Sequence, residues 1–134
     1  MQLMRIFDLA GSGMVAESVR LNTVASNLAN ADSVAASPAE AYRARLPVFR
    51  AVLDRARGVA RVRVAGIVED PRPVEREYRP GHPLADADGY VWRSNVSVVE
   101  QMAEMIAASR AYQTNVEVLN TGRQLLLATL RLGQ

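Results

Sequence analysis

The feature that most constrains this fold is a long periodic seam near the C-terminus. Between residues 97 and 132, mostly apolar side chains recur at alternating spacings of three and four, the pattern of an amphipathic helix. The seam consists of Val98, Met102, Met105, Ser109, Tyr112, Val116, Leu119, Arg123, Leu126 and Leu130. At 1.5 Å per residue this helix is ~54 Å long, whereas a compact chain of 134 residues has a radius of gyration of only ~14 Å. The seam therefore predicts an elongated molecule.

Both ends of this helix carry sequence signals. The stretch SVVE at 97–100 has the capping-box pattern, in which Ser97 is the N-cap and Glu100 reaches back from the third helical position. Arg131 in the last turn and Gly133 just beyond it are typical of a helix C-terminus.

A second helix is predicted for residues 3–30. Its seam consists of Leu3, Phe7, Ala10, Met14, Leu21, Val24 and Leu28. The stretch AGSG at 10–13 weakens it, because each interior glycine costs ~1 kcal/mol relative to alanine. Two interpretations are open: a local kink, or a small-residue strip against which another backbone packs closely. The strip would consist of Ala10, Gly11, Gly13 and Ala16.

Polar residues crowd the end of this helix, with Asn22, Ser26, Asn27 and Asn30 within nine residues on its flank. Asparagine competes for backbone hydrogen bonds and is unusual within a helix. Asn30 is interpreted as an end cap, since asparagine tolerates the left-handed conformation. The others are either solvated or act as contacts that set the register of a helix interface.

Between residues 42 and 95 the period changes to two. The stretches YRARLPV, VARVRVAGIV, VEREY and YVW read as strands, and five prolines predict that they are short and edge-prone. Residues 31–41 read as a small-residue linker. The predicted fold is mainly α with a small β segment: long N- and C-terminal helices paired as an elongated coiled-coil-like hairpin, with a short-stranded β insertion at one end. Residues 1–30 with 96–134 form a discontinuous helical core domain, and 31–95 the linker and insertion.

Composition excludes several classes of function. The chain has no cysteine and a net charge of +2, so it has no thiolate metal site and too little charge to imply a polyanionic partner. No run approaches the ~20 apolar residues that span a bilayer. Asp8 and Glu17 argue against a cleaved secretory signal in the first twenty residues. No cofactor, small-molecule substrate or enzymatic activity is predicted.

Three local features have some character of a catalytic, metal or nucleic-acid site. His82 stands in a loop without a nucleophile pattern around it. The stretch DADG at 86–89 resembles a calcium loop, but with Gly89 at position six, Leu84 and Asn95 would occupy positions that need carboxylates. The arginine-rich strands, with Arg43, Arg45, Arg61 and Arg63 beside Tyr42 and Phe49, suggest a nucleic-acid adaptor as an alternative. Acidic residues follow at once, which favours a solvated strand face.

Three blocks of sequence resemble the bacterial flagellar basal-body rod proteins. They are VASNLANADS, PGHPLADADGYV and NVSVVEQMAEMIAASRAYQTNVEVLN, and together the resemblance covers the whole chain. Many sibling rod and hook proteins have a glycine before the aromatic residue that follows the first block. Ala41 precedes Tyr42 here, which favours a proximal-rod member over another rod or hook component.

The resemblance implies a structural protein without catalytic, cofactor or metal sites. It implies export through the flagellar type III apparatus without processing, assembly in the periplasm, and a torque-transmitting tube lined by paired terminal helices. Its partners would be further copies, other rod proteins and the membrane-ring adaptor. The expected assembly interface consists of Leu3, Phe7, Met14, Leu21, Val24, Asn27, Leu28, Asn30, Met102, Met105, Arg110, Tyr112, Asn115, Val116, Leu119, Asn120, Leu126 and Leu130.

Overall fold

Two long helices dominate the computed structural model, which describes residues 2–133, with side chains from residue 3 onward. Helix α1 (Gln2–Ala29) has 28 residues and helix α2 (Val98–Leu132) has 35, nearly half of the chain. In the sequence, the strands lie between these two helices. The prediction of a mainly α fold with a smaller β segment is confirmed. Both helices begin and end within one residue of the predicted limits.

The N-terminus of α2 is capped by half of the predicted box. Ser97 is the N-cap, and its hydroxyl accepts a hydrogen bond from the Glu100 N–H at 3.4 Å. The return bond from Glu100 is absent, because that carboxylate pairs with Arg72 at 3.1 Å. At the other end Gly133 donates its N–H to Thr129 O with a right-handed φ of −88°.

Five strands form two antiparallel sheets. One sheet has the order β1–β5–β4, from β1 (Val34–Ala35), β4 (Glu75–Tyr78) and β5 (Tyr90–Arg93). The other is a hairpin of β2 (Arg45–Asp54) and β3 (Val59–Glu69). The predicted strand regions are correct, but β1 lies in the predicted linker. The prediction of short strands is wrong for β2 and β3, which have 10 and 11 residues. Pro47 does not end β2, because both strands of a two-stranded sheet are edges, where proline is tolerated.

The β segment lies partly at one end of the molecule and partly alongside α1. Near the end of α1, Ser94 Oγ donates to Ala31 O at 2.6 Å, and Ala35, Ala41 and Val74 form a small core with Trp92. The β2–β3 hairpin instead runs back along α1. Ser12 Oγ accepts from the Val62 N–H at 3.1 Å, and Asp8 pairs with Arg61 at 3.0 Å. These polar anchors on α1 explain why the predicted placement at one end is wrong for the hairpin.

Helices α1 and α2 contact each other along most of α1. The contacts pair Phe7 with Gly122, Gly13 with Asn115, Arg20 with Glu104, and Asn27 with Gln101. Residue numbers rise along α1 as they fall along α2, so the helices run in opposite directions. The buried residues of α2 are Gln101, Ala108 and Gly122, which with Asn115 form a row of seven-residue spacing. This row lies one position from the predicted seam, because small and polar residues let the helices approach most closely.

The glycine-containing stretch of α1 forms a packing strip and does not interrupt the helix. Ala10 and Ala16 are buried, and a Cβ at Gly13 would lie 2.9 Å from Asn115 Nδ2. These three residues are packed, but the close neighbour of Gly13 is the Asn115 side chain and not a backbone as predicted. The strip interpretation is wrong for Gly11, around which a Cβ would meet nothing within 4 Å.

Candidate assembly surface

A buried amide joins three segments at the end of α1. Asn27 Nδ2 donates to Arg45 O at 2.9 Å and to Gln101 Oε1 at 3.0 Å. Its Oδ1 accepts from Tyr42 Oη at 2.8 Å and from the Arg45 N–H at 2.9 Å. All four hydrogen-bonding positions of the amide are satisfied. The Asn27 side chain therefore fixes the start of β2 and the start of α2 relative to α1.

A second polar cluster lies beside this amide, at the base of the hairpin. Asn95 Oδ1 accepts from the Ala44 N–H at 2.7 Å, and Asn95 Nδ2 donates to Arg72 O at 2.8 Å. Asp70 is buried and accepts from Arg72 Nε at 2.8 Å. This bond, above all, holds the pKa of the Asp70 carboxyl below its usual value. Bonds to Asp70 and Glu100 raise the pKa of Arg72, so the ion pair persists across the neutral range.

Fourteen of the 18 residues predicted for the assembly interface are buried or half-buried within one chain. Half-buried are Leu3, Phe7, Met14, Leu21, Leu28, Asn30, Met105, Tyr112, Asn115, Val116, Leu119 and Leu126, and buried are Val24 and Asn27. Four are exposed: Met102, Arg110, Asn120 and Leu130. Thus the predicted set includes many residues that pair the two helices of the subunit.

Asn30 caps α1 by a route other than the predicted one. The helix ends at Ala29, and Asn30 has no positive φ. Its Nδ2 donates to Ser26 O at 2.8 Å, and its backbone N–H donates to the same carbonyl and to Asn27 O, each at 3.2 Å. The predicted left-handed conformation is therefore wrong.

Sequence reasoning missed a second regular row on α2, here called the outer row. It consists of Ala107, Ala111, Thr114, Val118, Thr121, Leu125, Ala128 and Leu132, which alternate at spacings of four and three. Seven of these eight residues are exposed, so the row forms a side of α2 that is not packed against α1. It has the spacing of a coiled-coil seam without a partner among the described residues.

A second exposed patch, here called the flank patch, lies on the first turns of α2. It consists of Val99, Met102 and Ile106. A polar ridge separates the side of α2 that carries this patch from the outer row. It consists of Arg110, Glu117, Gln124 and Arg131. The spacing of three and four in the outer row is visible in the sequence. The alanines and threonines of that row concealed it because they add little apolar signal.

Helix α1 also has an outer row of its own. Gly11, Val15, Ser18, Asn22, Ala25 and Ala29 follow one strip of this helix at spacings of three and four. All are exposed except the half-buried Gly11. Both long helices therefore present small, uncharged side chains outward.

The features weighed as chemical sites have structural roles. His82 Nδ1 accepts from the Leu84 N–H at 3.1 Å. Asp86 Oδ1 accepts from the N–H groups of Asp88 and Tyr90, and the bond from Tyr90 is the main cause of a lowered pKa of the Asp86 carboxyl. Within the described residues, no cluster of three potential metal ligands is present. The same part of the chain contains no helix long and apolar enough to cross a membrane.

The arginines that suggested nucleic-acid binding do not form one patch. Arg61 pairs with Asp8 of α1, whereas Arg43 donates to Arg72 O at 2.9 Å near the end of that helix. Arg45 lies over the ring of Tyr42, 5.8 Å from its centroid. Because these groups have separate partners, the structure offers no support for the nucleic-acid alternative.

Comparison with known proteins identifies the family. Residues 7–35 match the family model described as flagella basal body rod protein, and residues 87–132 match flagellar basal body rod FlgEFG protein C-terminal. The flagellar basal-body rod proteins FlgC of Yersinia enterocolitica and Salmonella typhimurium are 52% and 49% identical to the chain over the full length of both partners. That of Agrobacterium fabrum is 40% identical over 92% of the chain and 90% of the relative. The chain therefore belongs to the flagellar basal-body rod protein FlgC family and is a structural, non-enzymatic subunit of the rod.

Proposed function

We propose that the chain assembles into the rod through the outward faces of its terminal helices. The observation that carries this proposal is the exposure of α2, in which three of 35 residues are buried. A helix of this length needs tertiary packing for most of its stability. The outer rows of α1 and α2 supply regular, uncharged surfaces on which helices of neighbouring subunits pack.

The two helices act in this proposal as an elongated coiled-coil-like hairpin. Residues 1–30 and 96–134 form the helical core, and residues 31–95 form the insertion fixed to it by Asn27 and Asn95. The domain limits at residues 1 and 134 lie outside the described part of the chain. The four contacts from Phe7–Gly122 to Asn27–Gln101 support the pairing, and the ~40 Å length of α1 supports the elongated shape.

Rod geometry requires different patches to meet. A contact between two identical patches closes a dimer, whereas a contact between unlike patches continues into an open helical assembly. The outer rows of α1 and α2 differ in sequence, since the first contains glycine, serine and asparagine and the second ends in leucines. Packing of one against the other is therefore suited to an open polymer that carries torque.

Membership of the family supports a proposal for the remaining partners and the location. We infer that the subunit contacts further copies, other rod proteins and the membrane-ring adaptor of the proximal rod. It reaches the periplasm through the flagellar type III export apparatus. The predicted set of 18 interface residues is narrowed in this proposal to its exposed members and the two outer rows.

A pair of neighbouring substitutions tests this proposal. Leu125→Arg places a charge in the outer row of α2, whereas Gln124→Arg places the same charge on the adjacent polar ridge. In a strain that lacks the native chain, the Leu125 variant should be exported but absent from isolated basal bodies, and the cells should not swim. The Gln124 variant should assemble and support swimming. Normal swimming with Leu125→Arg would contradict the assignment of the outer row.

A further inference from the structure

The outer half of the β2–β3 hairpin has one charged face and one apolar face, whereas Arg45 stands opposite Glu69 at its base. Strand register places Arg50 opposite Arg63, Val52 opposite Arg61 and Asp54 opposite Val59 on one face. The other face has Phe49, Ala51 and Leu53 opposite Val64, Val62 and Ala60. No charged side chain stands among these six, which are here called the apolar hairpin face.

The outer half of the hairpin packs part of its charged face against α1 and leaves the β2 side of its apolar face exposed. Arg61, on the charged face, pairs with Asp8 of α1, and its neighbour Val59 is buried. On the apolar hairpin face, Leu53 is 62% exposed and Phe49 is 38% exposed, whereas Val62 and Val64 are half-buried. Sheets with one wet face normally turn the apolar side inward, and a lone two-stranded hairpin is only marginally stable. The apolar hairpin face therefore has the character of a contact surface.

Charge complementarity indicates what covers it. Residues 45–69 contain six arginines and two acidic residues, whereas residues 98–117 of α2 contain three glutamates and one arginine. Within the chain, Glu100 pairs with Arg72 and Glu104 with Arg20, and Arg57 and Arg61 pair with Asp8. The flank patch lies in this acidic half of α2, and Val99, Met102 and Ile106 are each more than half exposed. Two uncharged surfaces, set in regions of opposite net charge, are complementary in both polarity and charge.

The dimensions of the two surfaces also agree. The span from Phe49 to Leu53 is ~13 Å at the rise of a strand, and the span from Val99 to Ile106 is ~10 Å at the rise of a helix. Within one chain the surfaces cannot meet. The hairpin tip lies beside Arg5, whereas the start of α2 contacts Asn27, and 22 residues of helix separate these positions by ~33 Å.

We propose that the apolar hairpin face docks on the flank patch of α2 in a neighbouring copy of the chain. The proposal rests on assembly of this subunit into the rod, and it adds a contact outside the packing of the terminal helices. Because the two patches differ, each copy uses its hairpin toward one neighbour and its flank patch toward another. The contact therefore propagates along the assembly and sets the position of each hairpin.

Cysteine cross-linking tests the contact directly, because the native chain has no cysteine. The test variant carries Leu53→Cys with Ile106→Cys. Its matched control carries Val52→Cys with Ile106→Cys, since Val52 is the adjacent residue on the charged face. Each replaces the native chain in cells, and isolated basal bodies are treated with a short bis-maleimide. Swimming before treatment and the amount of chain in the basal bodies establish that the variants assemble.

The Leu53–Ile106 variant should give covalent dimers and larger multimers of the chain, and the Val52–Ile106 control should give at least tenfold less. Multimers from Leu53→Cys alone would show hairpins facing each other and would overturn the proposal. Cross-links to a different protein, or none in an assembled and motile strain, would overturn it as well. Absence of the chain from basal bodies of a strain with the native sequence would instead contradict the proposed function.

Discussion

The side-chain amide of Asn27 donates to Gln101 Oε1 at 3.0 Å, between two side chains that are 1% and 4% exposed. This bond connects the last turn of α1 with the first turn of α2. The same Asn27 amide holds Tyr42 and the backbone of Arg45. Helix pairing and hairpin placement therefore depend on one buried group, which makes Asn27 a positioning residue within the subunit.

Replacement of Asn27 should destabilise the subunit strongly. Asn27→Ala leaves the Arg45 backbone, Tyr42 Oη and Gln101 without their partner, and each buried unsatisfied group costs ~1–3 kcal/mol. We expect a loss of ~2–4 kcal/mol in the free energy of unfolding, measured by urea denaturation. Asn22→Ala is the control, because Asn22 is exposed on the same helix and its loss should cost less than ~0.5 kcal/mol. Equal effects of the two changes would show that the buried amide has no special role.

The two glycines of α1 should respond oppositely to alanine. A Cβ at Gly11 meets open space, so Gly11→Ala should stabilise the subunit by up to ~1 kcal/mol through helix propensity. A Cβ at Gly13 would lie 2.9 Å from Asn115 Nδ2, and the side chain must then leave its 3.0 Å bond to Ala111 O. Gly13→Ala should therefore be neutral or destabilising in thermal unfolding. Addition of Asn115→Ala should restore the gain, and a gain without it would contradict the close approach.

The helices and strand regions could be predicted because their signals are local. The three–four spacing, the Ser97 cap and the alternation around Arg61 and Arg63 each lie within a few residues of the element they define. The length and placement of the hairpin depend on contacts between residues that are far apart in the sequence. Arg61 pairs with Asp8, which is 53 residues away in the sequence. This pairing holds part of the charged face of the hairpin against α1.

The candidate site was less predictable than the fold. From the sequence, Asn27 is either solvated or a contact that sets the register of a helix interface. The structure buries it within the subunit, and its partners Tyr42 and Arg45 belong to a segment whose path the sequence did not indicate. The outer row of α2 has the spacing of a seam, yet Thr114 and Ala128 contribute little apolar character. A row of small residues becomes recognisable only when the packed side of the helix is known.

Adjacent leucines near the end of α2 should separate folding from assembly. Leu126 is half-buried toward α1, whereas Leu125 lies exposed in the outer row. Leu126→Arg should lower the free energy of unfolding by ~2 kcal/mol or more, because it places a charge in the helix interface. Leu125→Arg should leave it within ~0.5 kcal/mol of native and should abolish only assembly. Circular dichroism melts of purified subunits measure the loss of stability. Similar melting temperatures of the two variants would contradict the assignment of Leu126 to the packed side and Leu125 to the exposed side of α2.

Acid stability should depend on Asp70. Its bond with Arg72 lowers the pKa of the folded carboxyl, so the folded state binds its proton less readily than the unfolded chain, whose aspartates titrate near ~3.9. The stabilisation is complete above that pKa and is lost as the pH falls through the lower folded pKa. The stability difference between the native chain and Asp70→Asn should therefore be largest near neutral pH and shrink below about pH 4. Urea denaturation at a series of pH values measures this, and Arg72→Met should give the same trend. If this stability difference did not change with pH, Asp70 would stabilise the fold through the geometry of its hydrogen bonds and not through its charge.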